Sequence, residues 1–235
     1  MSQPGSSGRW MRRGAVYDDI ADWYDAWVGD SSGVICEQAP GLVPERLDGL
    51  RILDAACGQG RVAREFARRG AAVVGVDVSQ RLVAKARADE TARPLGVDYV
   101  VADLTDPGAW WDGVPFDGAV CEMALMDIEH LDAALAGITH VLRPGAWFVM
   151  SLVHPCLPGR DRGLSSWPPE HGYATEGWWI SPHHHPGGAR IRIGAYHRTL
   201  STYLNALLEA GLTIDRAVEP PADVPTFLVL ACHRR

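Results

Sequence analysis

Between Arg51 and Val153, apolar and polar positions follow two alternating rhythms. Short apolar runs with the look of buried strands are separated by stretches in which apolar residues recur at helical spacing. The clearest junction is Arg51-Ile52-Leu53-Asp54-Ala55-Ala56-Cys57-Gly58-Gln59-Gly60, an apolar run that breaks into small residues and glycine, followed by Arg61–Arg69 with helical period. A second apolar run, Ala72–Val76, stops at Asp77. The alternation predicts an α/β fold, a parallel sheet with helices on both faces. Ahead of it, helices are expected over about 15–28 and about 36–47. Behind it the rhythm fails: residues 155–195 carry Pro, Gly and His clusters with Trp167, Trp178 and Trp179, and read as an inserted lid that cannot maintain a ladder. Thr199 is placed to cap a helix over Leu200–Ala210, Gly211 to stop it, and strands follow over Leu212–Val218 and Phe227–Cys232.

A strand, glycine turn, helix, strand and acid in that order make a nucleoside site. Gly58 and Gly60 let the backbone approach a ligand, the open N–H groups of the following helix face it, and Asp77 is positioned to accept from ribose hydroxyls. The run Gly58-Gln-Gly60-Arg-Val-Ala63 also fits the glycine fingerprint of dinucleotide-binding folds. Asp54 speaks against that, because a carboxylate at the end of the first strand opposes a pyrophosphate and suits a cationic ligand.

At these residues the chain resembles the class I S-adenosylmethionine-dependent methyltransferases of the small-molecule type, whose first motif has the form seen in Asp54-Ala-Ala-Cys-Gly-Gln-Gly60. Further along, Val100–Leu104 resembles the third strand of that family, Phe116–Cys121 the fourth, Leu142-Arg-Pro-Gly145 the turn before the fifth, and Ala146–Val153 the fifth. Tyr17–Asp25 resembles the helix that covers the cofactor. The resemblance implies a Rossmann-like, doubly wound, seven-stranded sheet, mostly parallel with an antiparallel last strand. It also implies S-adenosyl-L-methionine as cofactor, with S-adenosyl-L-homocysteine as product. It gives Asp77 the ribose, Asp103 and Leu104 the adenine, Tyr24 the cover over the methionine end, and Cys121 and Met126 the methyl-transfer channel, and it places Tyr17 and Val78 among the cofactor-binding residues. Ala56 stands where the family usually has a glycine, from which a slightly tighter turn with retained binding is expected. The implied layout is one domain, with a disordered tail (1–14), cap helices (15–47), a cofactor-binding core (48–154), a substrate lid (155–198), and a closing helix and strands (199–235).

Ordinary structural roles compete for several of these residues. Asp103 at a strand end is equally suited to capping a turn, and Tyr17 and Tyr24, seven apart, lie on one helical face where packing explains both as well as ligand contact does. Among histidines, His154 directly follows the fifth strand at the ligand-binding edge of the sheet, and His197 borders the lid. Both are candidate general bases, His154 the better placed. His183, His184 and His185 are consecutive, cannot converge on one ion from regular backbone, and are read as a solvated loop with no metal site. Trp110-Trp111 and Trp178-Trp179 are more suited to covering core than to stacking on a substrate.

Composition narrows the field. A net charge of -7 over 235 residues gives no cationic footprint for nucleic acid. Lys85 is the only lysine, which leaves little for Schiff-base chemistry. The odd set of Cys36, Cys57, Cys121, Cys156 and Cys232 reads as reduced thiols, pointing to the cytoplasm, and neither a signal peptide nor a membrane span is expected. Three functions share these motifs: methyl transfer to O, N or C of a small molecule, a non-catalytic binding or regulatory role on the same fold, and a nicotinamide-dependent oxidoreductase. The partner expected is a small-molecule acceptor.

Overall fold

The computed structural model describes residues 14–29, 31–158, 165–167, 170–180 and 189–235. Residues 1–13 and the histidine run at 183–185, both given roles above, lie outside them. Seven strands form the main sheet: β1 (Arg51–Ala55), β2 (Ala72–Asp77), β3 (Asp98–Val101), β4 (Phe116–Glu122), β5 (Leu142–Val153), β8 (Leu212–Val218) and β9 (Phe227–Arg234). Their order is β3-β2-β1-β4-β5-β9-β8. The first five run parallel, and β9 inserts antiparallel to both β5 and β8. Chain direction across the sheet reverses between β1 and β4, the place where open α/β sheets leave a crevice at the carboxyl ends of their strands.

Because side chains alternate along a strand, neighbouring residues serve opposite faces. Leu53, Ala119 and Cys121 join one core with α5 (Leu131–Val141) and α6 (Leu200–Glu209). Ile52 and Val120 join the other with α2 (Val34–Gln38) and α3 (Arg61–Arg68), which α4 (Gln80–Ala92) completes through Val83 and Ala86. Two cores on one doubly covered sheet explain why its strands read as continuous apolar runs. α6 begins where expected, its Thr199 hydroxyl accepting from Thr202 N, and Gly211 follows its last turn at φ 85°.

Several expected elements are placed differently. The helix expected at 36–47 is only α2 and a 3-10 turn at Pro40–Leu42, because Pro40 and Pro44 cannot continue an α-helical ladder. The third strand ends at Val101, leaving Asp103 in a turn, and the fifth starts at Leu142, where pairing with Phe116 precedes a register shift. The lid region stays out of the main sheet, yet it does hold a ladder: β6 (Gly177–Trp179) pairs antiparallel with β7 (Ala195–His197). Three residues a side suffice here because Trp179 is buried and its indole N–H donates to Ser166 O at 2.8 Å. At the N-terminus α1 (Gly14–Val28) forms as expected and packs on α4.

Candidate active site

The turn after β1 is built from left-handed residues. Ala56, Gly58 and Gly60 have φ of 60°, 53° and 81°. At Gly60 a β-carbon would lie 2.3 Å from the Tyr99 hydroxyl, so glycine is required on packing grounds as well. Ala56 adopts the same region without that freedom, a local strain of the kind that collects at functional sites. The turn is tied to the neighbouring strand at two points: Cys57 N donates to Val76 O at 3.1 Å, and Gly58 N donates to Asp77 Oδ2 at 2.8 Å. Ser79 N donates to the other Asp77 oxygen at 2.8 Å.

Around this turn lies a cavity walled by Asp54, Ala56 and Gly58, by Tyr24 of α1, by Gly33, and by Glu122 at the end of β4. Asp54 is buried and accepts from Ala63 N at 2.9 Å, capping the first turn of α3. Burial pushes its carboxyl up to about 8, the Ala63 hydrogen bond opposing and the Glu122 and Asp77 charges adding to the rise. Burial likewise raises Asp77 and Glu122. Asp54 and Glu122 line the cavity and Asp77 holds the turn beside it; none of the three has an ion-pair partner among the described residues, which favours a cation there. The same wall carries Gln59 Nε2 and Arg61 Nη1, both buried and without a hydrogen-bond partner.

α1 is fastened over this region by its acidic face. Asp18 accepts from Ser79 Oγ at 2.6 Å and Arg81 N at 2.9 Å, Asp22 pairs with Arg81 and Lys85, and Asp25 pairs with Lys85 and Arg61. Its other face brings Tyr17 and Tyr24 edge to face at 5.1 Å. Lys85 is therefore part of the fastening of α1.

The structure thus brings together Tyr24, Asp54, Ala56 and Gly58, with Gly60 completing the turn and Asp77 bonded to it. Val78, half exposed, follows directly. Other expected residues are placed elsewhere. Asp103 is exposed and accepts from Thr105 N and Oγ1, an ordinary turn cap, while Leu104 is buried in the core. Cys121 and Met126 are core side chains and do not line the cavity; burial pushes the Cys121 thiol well up. Tyr17 reaches past the cavity, its hydroxyl donating to Asp127 Oδ2 at 2.7 Å.

Neither candidate base reaches the cavity with an open ring nitrogen. His154 Nδ1 accepts from Cys156 N at 3.1 Å, which leaves Nε2 to donate to Glu219 at 2.8 Å. His197 Nε2 donates to the Tyr173 carbonyl at 2.7 Å, and its Nδ1 shares a hydrogen bond with Ser166 Oγ at 3.2 Å. The first buttresses the chain as it leaves β5; the second joins β7 to Ser166 and Tyr173. Next to it, Arg198 donates to the Leu125, Ile128 and Glu129 carbonyls and holds the loop after β4.

Gly33, Gln59 and Arg61 line the cavity without having been expected there, and so does Glu122. Its oxygens accept from Val34 N at 2.7 Å and Ile35 N at 3.1 Å, pinning α2 to the end of β4. An acid closing an apolar strand was a signal already used for Asp54 and Asp77 and was available here too. Its partners, 88 and 87 residues earlier, were not.

Residues 53–150 match the methyltransferase-domain family. A ubiquinone biosynthesis O-methyltransferase of Xylella fastidiosa is 31% identical over 111 residues, 47% of this chain and 45% of that protein, so the chain matches about half the length of such curated relatives. Among solved structures, an S-adenosylmethionine-dependent methyltransferase from Mesorhizobium loti superposes with a TM-score of 0.67 at 29% identity, covering 88% of this chain and all of that one. The 1,6-didemethyltoxoflavin-N1-methyltransferase of Burkholderia thailandensis, with S-adenosylhomocysteine bound, gives 0.66 at 16% identity, covering 100% of this chain and 93% of that one, a likeness of fold.

Proposed function

We propose that this chain, which carries a class I S-adenosylmethionine-dependent methyltransferase domain, binds S-adenosylmethionine at the β1 turn and methylates a small molecule. The observation that carries the reading is the cavity itself. Left-handed backbone at Ala56 and Gly58, held from behind by Asp77 through Gly58 N, and the Asp54 and Glu122 carboxyls make a narrow, acidic wall. Such a wall fits a sulfonium cation and opposes a pyrophosphate, which disfavours a nicotinamide dinucleotide. Gln59 Nε2 and Arg61 Nη1, both orphaned and buried on that wall, suit the carboxylate of an amino-acid moiety.

S-adenosylmethionine supplies an electrophilic methyl group on sulfur. The chain's own residues do the rest. Asp77 keeps a lone pair on each oxygen beyond its bonds to Gly58 and Ser79, enough to accept from ribose hydroxyls. Tyr24 and α1 close over the site and exclude water, and Glu122 holds α2 against the end of β4 where the acceptor must arrive. With both histidines engaged elsewhere, the catalysis rests on positioning, which can contribute roughly 7–11 kcal/mol. The test is calorimetry of the full chain with S-adenosylhomocysteine and with NADH. Micromolar or tighter binding of the first and none of the second is expected; the reverse would overturn the reading.

A further inference from the structure

One buried charged cluster has no part in the cavity described above. Arg190, in the 3-10 turn Ala189–Ile191, is 4% exposed. Its Nη1 donates to Asp127 Oδ1 and to the Gly194 carbonyl, each at 2.7 Å, while its Nε is buried without a partner. Asp127, in the 3-10 turn Leu125–Asp127 just after β4, shares its other oxygen with the Tyr17 hydroxyl. Burial, then Asp127, push the Tyr17 phenol well up, so it stays a neutral donor. Desolvation is the largest influence and works against the Arg190 charge, but Asp127 and the neighbouring phenols together outweigh it and the guanidinium remains a cation. One carboxylate thus serves both a phenol and a guanidinium, and the Nε–H edge of a desolvated cation is left without a partner.

Such an edge calls for a ligand, and a planar guanidinium fork matches a carboxylate. Its position is also informative. Asp127 sits beyond the carboxyl end of β4, Tyr17 meets Tyr24 edge to face, and Tyr24 lines the cavity. The cluster therefore adjoins the site on the far side of Tyr24.

We propose that Arg190 anchors a carboxylate on the methyl acceptor, with Asp127 and Tyr17 holding the guanidinium, so that the substrates are small carboxylic acids. The inference rests on the methyl-transfer reading. The carboxylate is the handle, and the atom that receives the methyl lies elsewhere on the molecule, toward Tyr24. Asp127 and Tyr17 are positioning residues, acting through Arg190.

Benzoate and its neutral isostere benzamide, titrated calorimetrically into the full chain saturated with S-adenosylhomocysteine, test this. Benzoate is expected to bind at least tenfold more tightly than benzamide. Arg190→Gln should erase the difference, and Arg190→Lys, which keeps the charge but loses the fork, should weaken benzoate three- to tenfold. Affinity for S-adenosylhomocysteine should stay within twofold in both variants. If Arg190→Gln does not fold, the lysine variant carries the comparison. Absence of benzoate binding, equal binding of benzamide, or a preference for benzoate undiminished in the variants would overturn the proposal. Failure of S-adenosylhomocysteine to bind the unaltered chain strikes the methyl-transfer reading instead; the benzoate titration is then run without it, so that Arg190 is judged separately.

Discussion

Two residues show how the β1 turn trades stability for a binding surface. Ala56 at φ 60° carries a side chain in a region that costs an L-residue roughly 1–2 kcal/mol, and glycine removes that cost while adding about 0.4–1 kcal/mol of unfolded-state entropy. Ala56→Gly is therefore expected to stabilise the chain by about 0.5–1 kcal/mol in urea denaturation; a loss of stability would show that the alanine methyl packs better than its backbone is strained. Asp77 acts in the opposite sense, since its two backbone bonds hold the turn in shape for the ligand. Asp77→Ala is expected to weaken S-adenosylhomocysteine binding by about 1.5–3 kcal/mol, the value of lost charge-assisted hydrogen bonds. Unchanged affinity in a folded variant would remove Asp77 from the site.

At the scale of elements, α1 and the segment around β6 and β7 are fastened differently. Beside the Asp18 and Tyr17 hydrogen bonds, α1 is held by partly exposed pairs of Asp22 and Asp25 with Arg81, Lys85 and Arg61, each worth only about 0–1 kcal/mol and screened by salt. The segment around β6 and β7 is held by buried His197 and Trp179, whose bonds salt does not reach. Hydrogen exchange should accordingly quicken in α1 on raising sodium chloride from about 0.05 to about 0.5 M, the Debye length falling from roughly 14 to roughly 4 Å, with β6 and β7 unchanged. S-adenosylhomocysteine should slow exchange in α1 again. A salt response equal in both elements would mean that the ion pairs do not hold α1. The short ladder of β6 and β7 was not legible in the sequence, because three residues a side carry no period; it forms through Trp179 and His197, whose partners are set by the chain's return.

For the molecule as a whole, the acidic cavity makes stability depend on pH. A carboxyl whose pKa is higher in the folded state keeps its proton longer there, so the native state binds more protons between the two values and stability falls as pH rises through that window. For Asp54 the window runs from its ordinary 3.8 to about 8, and Asp77 and Glu122 shift in the same direction. The melting temperature of the ligand-free chain is expected to fall between about pH 5 and about pH 8, and Asp54→Asn should flatten the fall. Cationic S-adenosylmethionine should gain affinity across that range relative to neutral S-adenosylhomocysteine, because ionised carboxyls favour the cation. A slope unaltered in Asp54→Asn would locate the pH dependence elsewhere.

The sequence by itself determined the alternating sheet and helices, the β1 turn, the acids at the ends of β1 and β2, and the capping of α6, since each depends on residues close together in the chain. The tertiary structure alone decided which acids share a cavity, that Glu122 pins α2, that both histidines are committed to structural partners, and that Tyr17, Asp127 and Arg190 meet. Periodicity reports the face a residue occupies, whereas a site is made by contacts across 63 to 110 residues of sequence, whose partners are fixed only when the sheet closes and both cores fill.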